Sequence, residues 1–144
     1  MSSEPSTFFV VPGTPVAQGS MVAYGRKVAA SNASALGLWR DRVGIAAARE
    51  WGEANVDKDS SFRVVLTFVF ERPRGHYGKK GLRPSAPKFH VKRPDVDKLA
   101  RAALDSLTHI VFADDSQVTR LMAKKEYADD DRGSRLEVSI KRLG

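Results

Sequence analysis

The sequence predicts a single two-layer α+β domain, with a mixed β-sheet and two main helices on one face of the sheet. Three observations predict this fold class. Strand-like and helical segments follow one another in the order β, α, β, long loop, α, β, β; no internal repeat divides the chain; and 144 residues fit one domain. We therefore expect residues 1–144 to form one domain.

Four segments have the composition of β-strands. TFFVVP at 7–12 is a short apolar run that a Pro-Gly pair ends. FRVVLTFVF at 62–70 is rich in β-branched and aromatic residues, which indicates a central strand. SQVTRLMAKKEYA at 116–128 and SRLEVSIKRL at 134–143 have strand-like content, and a turn, ADDDRG, separates them.

Two segments have helical periodicity. From about residue 34 to residue 54, apolar side chains recur every three or four positions and form a stripe. In the second segment, which follows Pro94, Asp97, Arg101 and Asp105 share one side of the helix at i, i+4 and i+8, and apolar residues take the other side. We predict that Asp95 caps the start of this second helix with its carboxylate.

The composition excludes several classes of protein. The chain has no cysteine, which excludes a disulfide framework, thiolate zinc ligands and a cysteine nucleophile. It also lacks an apolar run of about 18 residues, so we expect no membrane segment and a cytoplasmic protein.

The excess positive charge of the chain lies in one segment. Residues 71–93 contain eight Lys or Arg against the single Glu71, so this segment carries the whole net charge of +7. A polyanion such as nucleic acid is the natural partner, although a solvated, flexible linker is the alternative. Tyr77 and Phe89 lie among these cations, where they either stack on bases or pack within the loop. The predicted DNA-binding residues are Lys79, Lys80, Arg83, Lys88, Lys92, Arg93 and, beyond the segment, Lys98.

Aspartates are concentrated immediately after the basic segment. Asp95, Asp97, Asp105, Asp114 and Asp115 lie within 21 positions of one another. An isolated D-x-D is more often a cap or an exposed turn. If the turn with Asp114 and Asp115 folds back to the start of the helix, however, repulsion of about 4 kcal/mol per close pair requires a divalent cation. Oxygen ligands without cysteine favour Mg²⁺, with Mn²⁺ as a substitute.

Such a site beside a basic segment fits phosphodiester hydrolysis, in which metal ions activate water and stabilise developing charge. Arg101, one turn after Asp97, either reaches the scissile phosphate or forms a helix-surface ion pair. Lys124 and Lys125 point to opposite faces of their strand, and we predict that Lys125 is the one that faces the carboxylates.

The stretch RPDVDKLARAALDSLTHIVFADDSQV, followed by KKEY, resembles the RusA family of Holliday-junction resolvases, with its P-D-x-D-N-x-x-K-x-x-x-D-x-L and D-D-x-Q-V pattern. The resemblance covers about 35 residues. It implies a magnesium-dependent, homodimeric endonuclease that nicks two symmetric strands of branched DNA. It also implies catalytic roles for Asp95, Asp97 and Asp115. The chain has Lys98 and Arg101 where the family pattern has Asn and Lys.

The leading hypothesis is therefore a metal-dependent, structure-selective endonuclease of four-way junctions. Its predicted catalytic residues are Asp95, Asp97, Asp115, Arg101 and Lys125, and its predicted metal ligands are Asp95, Asp97, Asp115 and Asp114. The alternative is a non-catalytic module that binds branched or single-stranded nucleic acid and whose carboxylates are structural.

Overall fold

A computed structural model describes residues 6–19, 25–129 and 131–144, with side chains described from residue 34 onward in the first helix. The α+β class is confirmed. The elements are β1 (Thr7–Pro12), α1 (Gly25–Trp51), β2 (Phe62–Phe70), β3 (Tyr77–Gly78), β4 (Gly81–Leu82), α2 (Val96–Leu107), β5 (Val118–Tyr127) and β6 (Arg135–Arg142).

The main sheet has four strands in the order β1-β6-β2-β5. β6 runs antiparallel to both β1 and β2, whereas β5 runs parallel to β2, so the predicted mixed sheet is confirmed. In the central register Leu66 of β2 lies between Val138 of β6 and Ala123 of β5. This order leaves β5 at one edge of the sheet and β1 at the other.

Both helices pack on one face of the sheet and bury its alternate residues. Val64, Leu66 and Phe68 of β2 are fully buried in one cluster with side chains of both helices. α1 contributes Trp39, Val43 and Ala47, and α2 contributes Leu99, Ala103 and Leu107. The rings of Phe62 and Phe112 lie 5.6 Å apart and extend this core beyond the end of α2. The buried face fixes the orientation of α2 and hence the positions of its aspartates.

Two boundaries differ from the prediction. The backbone of α1 is already helical at Gly25, nine residues before the predicted start, and α1 ends at Trp51 instead of Ala54. Gly52 adopts a left-handed φ of 70° and its N–H reaches the carbonyl of Ala48, which ends the helix. The basic segment also contains the two-stranded β3–β4 hairpin, where we expected only a loop. Among the described residues, no helix is long and apolar enough to cross a membrane.

Asp57 stabilises the loop before β2. Its Oδ1 accepts hydrogen bonds from the N–H groups of Asp59 and Ser60, at 2.9 and 2.8 Å, and its Oδ2 accepts one from Arg142 Nε at 3.0 Å. These hydrogen bonds lower the pKa of Asp57 from 3.8 to about 2, and the bond from the Ser60 N–H is the largest cause. The carboxylate is therefore charged throughout the neutral range.

The lowered pKa predicts a specific loss of stability in acid. The contribution of Asp57 is fully present above its unfolded pKa of 3.8 and is lost as the pH falls towards 2. Between pH 5 and pH 2, the free energy of unfolding of the wild type should fall by about 2 kcal/mol more than that of Asp57→Asn, which cannot ionise. Urea denaturation at both pH values measures this difference, and parallel curves for the two proteins would contradict it.

Candidate active site

The first carboxylates lie at the start of α2. Asp95 occupies the N-cap position with extended backbone angles, but its side chain makes no capping hydrogen bond, so the predicted capping role is wrong. Its Oδ2 instead lies 3.5 Å from Lys98 Nζ, one helical turn further on. Asp97 lies in the first turn and is exposed. We call Asp95 and Asp97 the leading carboxylates.

Lys125 holds the chain that enters α2. Its Nζ donates hydrogen bonds to the carbonyl groups of Lys92, at 2.7 Å, and Pro94, at 2.9 Å. Lys125 thus contacts backbone carbonyl groups just before the helix, and its predicted contact with the carboxylates stays a prediction. Lys124 pairs with Glu126 at 3.6 Å on the other face of the sheet. Because Pro94 immediately precedes Asp95, the ammonium group of Lys125 fixes the backbone that carries the leading carboxylates.

Removal of this ammonium group should destabilise the protein. Lys125→Met should lower the free energy of unfolding by about 2 kcal/mol, because it leaves two carbonyl groups without a charged donor. The matched control is Lys124→Met. The Lys124–Glu126 pair is solvent-exposed, so this change should cost less than about 0.5 kcal/mol. Chemical denaturation compares the two variants, and equal losses would show that the two carbonyl contacts of Lys125 contribute nothing specific.

A shallow depression opens beside the leading carboxylates. Asp95, Lys98 and Arg93 line it on one side, and residues 15–19 of the loop after β1 line it on the other. The N–H of Gln18 donates to the carbonyl of Lys98 at 3.1 Å, which fixes this loop against α2. The depression thus combines one carboxylate with two cations at the end of the basic segment. Arg101 lies one turn further along α2 and is exposed.

The remaining aspartates lie at the opposite end of α2. After the helix, His109 adopts a left-handed φ of 74° and its N–H donates to Phe112 O, which closes a tight turn. Asp115 begins a short 3-10 turn directly after Asp114. A second open depression there is lined by Arg40, Asp105, Thr108, His109, Asp114 and Asp115. We call Asp105, Asp114 and Asp115 the trailing carboxylates.

Asp114 has a local structural role. Its Oδ1 accepts a hydrogen bond from the N–H of Ser116 at 2.8 Å, and this bond is the main cause that lowers the pKa of Asp114. Oδ1 of Asp114, a predicted metal ligand, is thus occupied by a hydrogen bond within the turn. Asp115 is exposed.

Gln117 fixes the turn that carries Asp114 and Asp115. Its Oε1 accepts hydrogen bonds from the N–H groups of Ala113 and Asp114, at 2.9 and 3.0 Å. Its Nε2 donates to the carbonyl groups of Asp57 and Ser60, at 3.1 and 3.0 Å. One amide side chain therefore joins the turn to the loop before β2, which explains the glutamine after the aspartate pair.

Gln117→Ala should lower the free energy of unfolding by about 2 to 4 kcal/mol, because four backbone groups lose a partner. Gln117→Glu serves as a second variant, since it keeps the acceptor oxygen but places a carboxylate oxygen against the carbonyl groups of Asp57 and Ser60, and it should also be less stable than the wild type. Urea denaturation at neutral pH measures the series. A wild-type value for Gln117→Ala would refute the role of Gln117 in fixing this turn.

The leading and trailing carboxylates do not meet within one chain. The 12 residues of α2 span about 18 Å along the helix axis, and even Asp97 and Asp105, both on this helix, lie about 12 Å apart along it. β5 gives the same result, because it starts near Asp115, and Lys125 lies seven residues after its first residue, about 23 Å away along the strand. Among the described residues, no three His, Asp, Glu or Cys side chains come close enough to hold a metal ion. Within the described part of one chain, Asp114 and Asp115 therefore lie apart from Asp95 and Asp97, and the assignment of all four as ligands of one cation stays a prediction.

The basic segment is organised by its arginines and presents its lysines to solvent. Arg72 donates from Nη1 to the carbonyl of Pro87 at 2.6 Å, and its guanidinium lies 4.5 Å from the ring centroid of Tyr127. Arg83 Nε donates to Tyr77 O at 3.0 Å. The predicted DNA contacts Lys79, Lys80, Lys88, Lys92 and Arg93 are all exposed, as are Tyr77 and Phe89. Their contact with DNA stays a prediction.

The geometry therefore places exposed aspartates at the start of a helix, directly after an exposed basic segment. The model of the family described as Endodeoxyribonuclease RusA matches residues 12–141. This chain belongs to the RusA endodeoxyribonuclease family. The match extends well beyond the motif stretch and includes β2, both helices and β5. The RusA-family chain is also 28% identical over 140 residues to a protein of Bacillus subtilis (strain 168) named "Uncharacterized protein YqaN", covering 94% of this chain and 95% of that protein.

Three residues that lie at the candidate site of this RusA-family protein were not among those predicted for it. Asp105 was counted in the aspartate cluster but given no role, Arg40 was not singled out, and Gln117 was quoted only in the motif. Arg40 lies on α1, more than 60 residues before the aspartates with which it shares a depression, so no local pattern indicates it. The signal for Gln117 was available, because a glutamine three residues after an aspartate can close a capping box.

Proposed function

We propose that this RusA-family endonuclease resolves four-way DNA junctions by paired, symmetric nicks, as a homodimer that depends on Mg²⁺. The observation that carries the proposal is the position of the leading carboxylates. They are exposed at the N-terminus of α2, two and four residues after Arg93, where the basic segment ends. A phosphate held by this segment would lie beside the start of α2, where the helix dipole also favours negative charge.

The homodimer follows from the symmetry of the substrate. A four-way junction has two-fold symmetry, and two related active sites would cut opposite strands at matched positions. A monomer would leave one cut unpaired. Magnesium, with manganese as a substitute, is proposed because hard oxygen donors from aspartates prefer these ions.

A cleavage assay tests the proposal. Purified protein is incubated with labelled four-way, forked and linear duplex DNA, each with magnesium and with chelator. We expect nicks at symmetric positions in the four-way junction alone, and only with magnesium. Cleavage of linear duplex at the same rate would contradict the proposed structure selectivity, and cleavage in chelator would contradict the proposed metal dependence.

The second candidate is a non-catalytic module that binds branched or single-stranded nucleic acid. The observation that favours it is that, in the described part of one chain, no three carboxylates lie close enough to hold a metal ion. This candidate predicts that the protein shifts the mobility of a four-way junction and leaves every strand intact in magnesium.

A further inference from the structure

Three cations lie side by side across the main sheet, on the face opposite the helices. The strand register places Arg63 of β2 directly between Lys141 of β6 and Arg120 of β5. Phe62 and Val64, on either side of Arg63, belong to the core under the helices, so Arg63 and its two lateral neighbours point to the opposite face. Neighbouring strands are about 4.8 Å apart, so the three positions span about 10 Å. We call Lys141, Arg63 and Arg120 the cation row.

No carboxylate of the described residues balances the cation row. Arg63 Nη2 donates a hydrogen bond to the neutral hydroxyl group of Ser6 at 3.2 Å, and Arg63 Nε is shielded from solvent without an acceptor among the described residues. Arg120 and Lys141 form no ion pair within the described part of the chain. Because like charges directly opposite each other destabilise paired strands, an anion bound at the row would relieve their repulsion.

Two carboxylates on the same face lie farther along the strands and already have cationic partners. Lys124 Nζ lies 3.6 Å from Glu126 Oε2, and Arg135 Nε lies 2.9 Å from Glu137 Oε2. The sequence does not show this separation of charge, because acidic and basic residues are equal in number outside residues 71–93. Strand pairing therefore creates a second basic surface at one end of the face.

The next row of side chains on this face is mostly apolar. Phe8 of β1, Ser139 of β6, Val65 of β2 and Met122 of β5 are lateral neighbours there. Phe8 and Met122 are 60% and 61% exposed, and Val65 is half-buried. Thr67, the next residue of β2 on this face, is buried, so the open surface consists of these two rows.

Cations beside an exposed aromatic ring are the combination that binds a single nucleic-acid strand, since cations contact its phosphates and rings stack on its unpaired bases. A duplex keeps its bases stacked inside and offers only phosphates to such a surface. We infer that this face of the sheet binds single-stranded DNA, with the cation row on the phosphates and Phe8 against a base.

This surface is separate from the candidate active site. α2 and the leading carboxylates lie with the helices on the other face of the sheet. The basic segment also follows the opposite end of β2, because Arg63 is seven residues before Phe70, or about 23 Å along the strand. The proposed binding requires no cleavage, so it can be measured in chelator whether or not the protein cuts DNA.

The salt dependence of binding tests the cation row. A labelled oligothymidine is titrated with protein in chelator at several salt concentrations, and its fluorescence anisotropy gives the affinity. The double variant Arg120→Gln, Lys141→Gln should bind more weakly, with a slope of log affinity against log salt that falls by up to about 1.4, because two phosphate contacts to a single strand are lost. Arg63 is left unchanged to keep its bond to Ser6.

The matched control replaces two exposed cations outside this face, Arg49 and Lys58, by glutamine, and it should keep the wild-type slope. An unchanged slope in the Arg120, Lys141 variant, or an equal fall in the control, overturns the inference. A duplex of the same length is titrated in parallel. If the double change weakens duplex binding more than single-strand binding, the face binds duplex DNA and the inference is also overturned.

A second measurement tests the base contact of Phe8. Phe8→Ala should bind oligothymidine about tenfold more weakly than the wild type, because one stacked base loses its partner. Its affinity for an abasic chain of the same length should be unchanged, since that chain keeps the phosphates and has no bases. Leu38→Ala removes an exposed apolar side chain on α1 and should bind both chains as the wild type does. Equal weakening of Phe8→Ala on both chains, or none on oligothymidine, overturns the base contact.

Photocrosslinking locates the strand directly on the wild-type protein. An oligonucleotide that carries 5-iodouracil is bound in chelator and irradiated, and the attached residues are mapped by mass spectrometry. We expect attachment at Phe8 or Met122, the two exposed side chains of the apolar row. Attachment confined to the basic segment would place the single strand there and overturn the inference.

Discussion

Asp97→Asn is expected to bind a four-way junction as tightly as the wild type and to cut it at least about a hundredfold more slowly. The change keeps the shape of the side chain and removes only its charge and its capacity as an anionic ligand. A carboxylate that acts at the reacting phosphate contributes several kcal/mol to the transition state, and each 1.36 kcal/mol is a factor of about ten in rate. Asp97 is exposed in the first turn of α2, so the change should leave the core intact.

Binding is measured by gel mobility shift and cutting by the rate of nick formation in magnesium. Asp41→Asn is the matched control, because Asp41 is an exposed helical aspartate on α1 and outside the two depressions at the ends of α2. It should cut at the wild-type rate. Normal cutting by Asp97→Asn would exclude Asp97 from the active site, whereas loss of both binding and cutting would assign it to DNA binding.

Replacement of four exposed lysines in the basic segment by glutamine should weaken junction binding and reduce its dependence on salt. Lys79, Lys80, Lys88 and Lys92 are suitable because they are exposed, whereas Arg72 and Arg83 hold the segment together through backbone carbonyl groups. If all four contact phosphates, the slope of log affinity against log salt falls by up to about 3.6. Between about 50 and 200 mM salt, that slope corresponds to about two orders of magnitude in affinity.

Affinity is measured at several salt concentrations for the wild type, the four-lysine variant and a control in which Arg49 and Lys58 are replaced by glutamine. These two control residues are exposed and lie outside the basic segment. The control should have a slope close to that of the wild type. An unchanged slope in the four-lysine variant would indicate that the basic segment is a solvated linker that does not contact DNA.

The sequence predicted the parts of the fold in which local pattern and tertiary packing agree. β1 and β2 begin and end where their apolar runs do, and α2 follows its amphipathic stripe. The start of α1 was missed because residues 25–33 are mostly small or polar and give no clear stripe. The β3–β4 hairpin was missed because strands of two residues show no alternation.

The individual groups of the candidate site were more predictable than their arrangement. The order of the aspartates and the orientation of Lys125 follow from local periodicity. From the sequence, the carboxylates were expected to converge on a cation that offsets their repulsion. That expectation did not account for the predicted helix between Asp97 and Asp115, which is rigid and holds the two residues apart. The contacts of Gln117 with Asp57 and Ser60 join residues 60 and 57 positions apart. No local pattern contains such pairs, and they appear only once the chain is folded.

The ammonium group of Lys125 has a consequence for how the protein responds to DNA. Its two short hydrogen bonds connect the edge strand to the backbone between the basic segment and α2. If a phosphate displaces residues 92–94, these bonds would carry the displacement to β5 and to the first turn of α2. Substrate affinity and turnover rate should accordingly both fall when the Lys125 side chain is shortened by successive methylene groups.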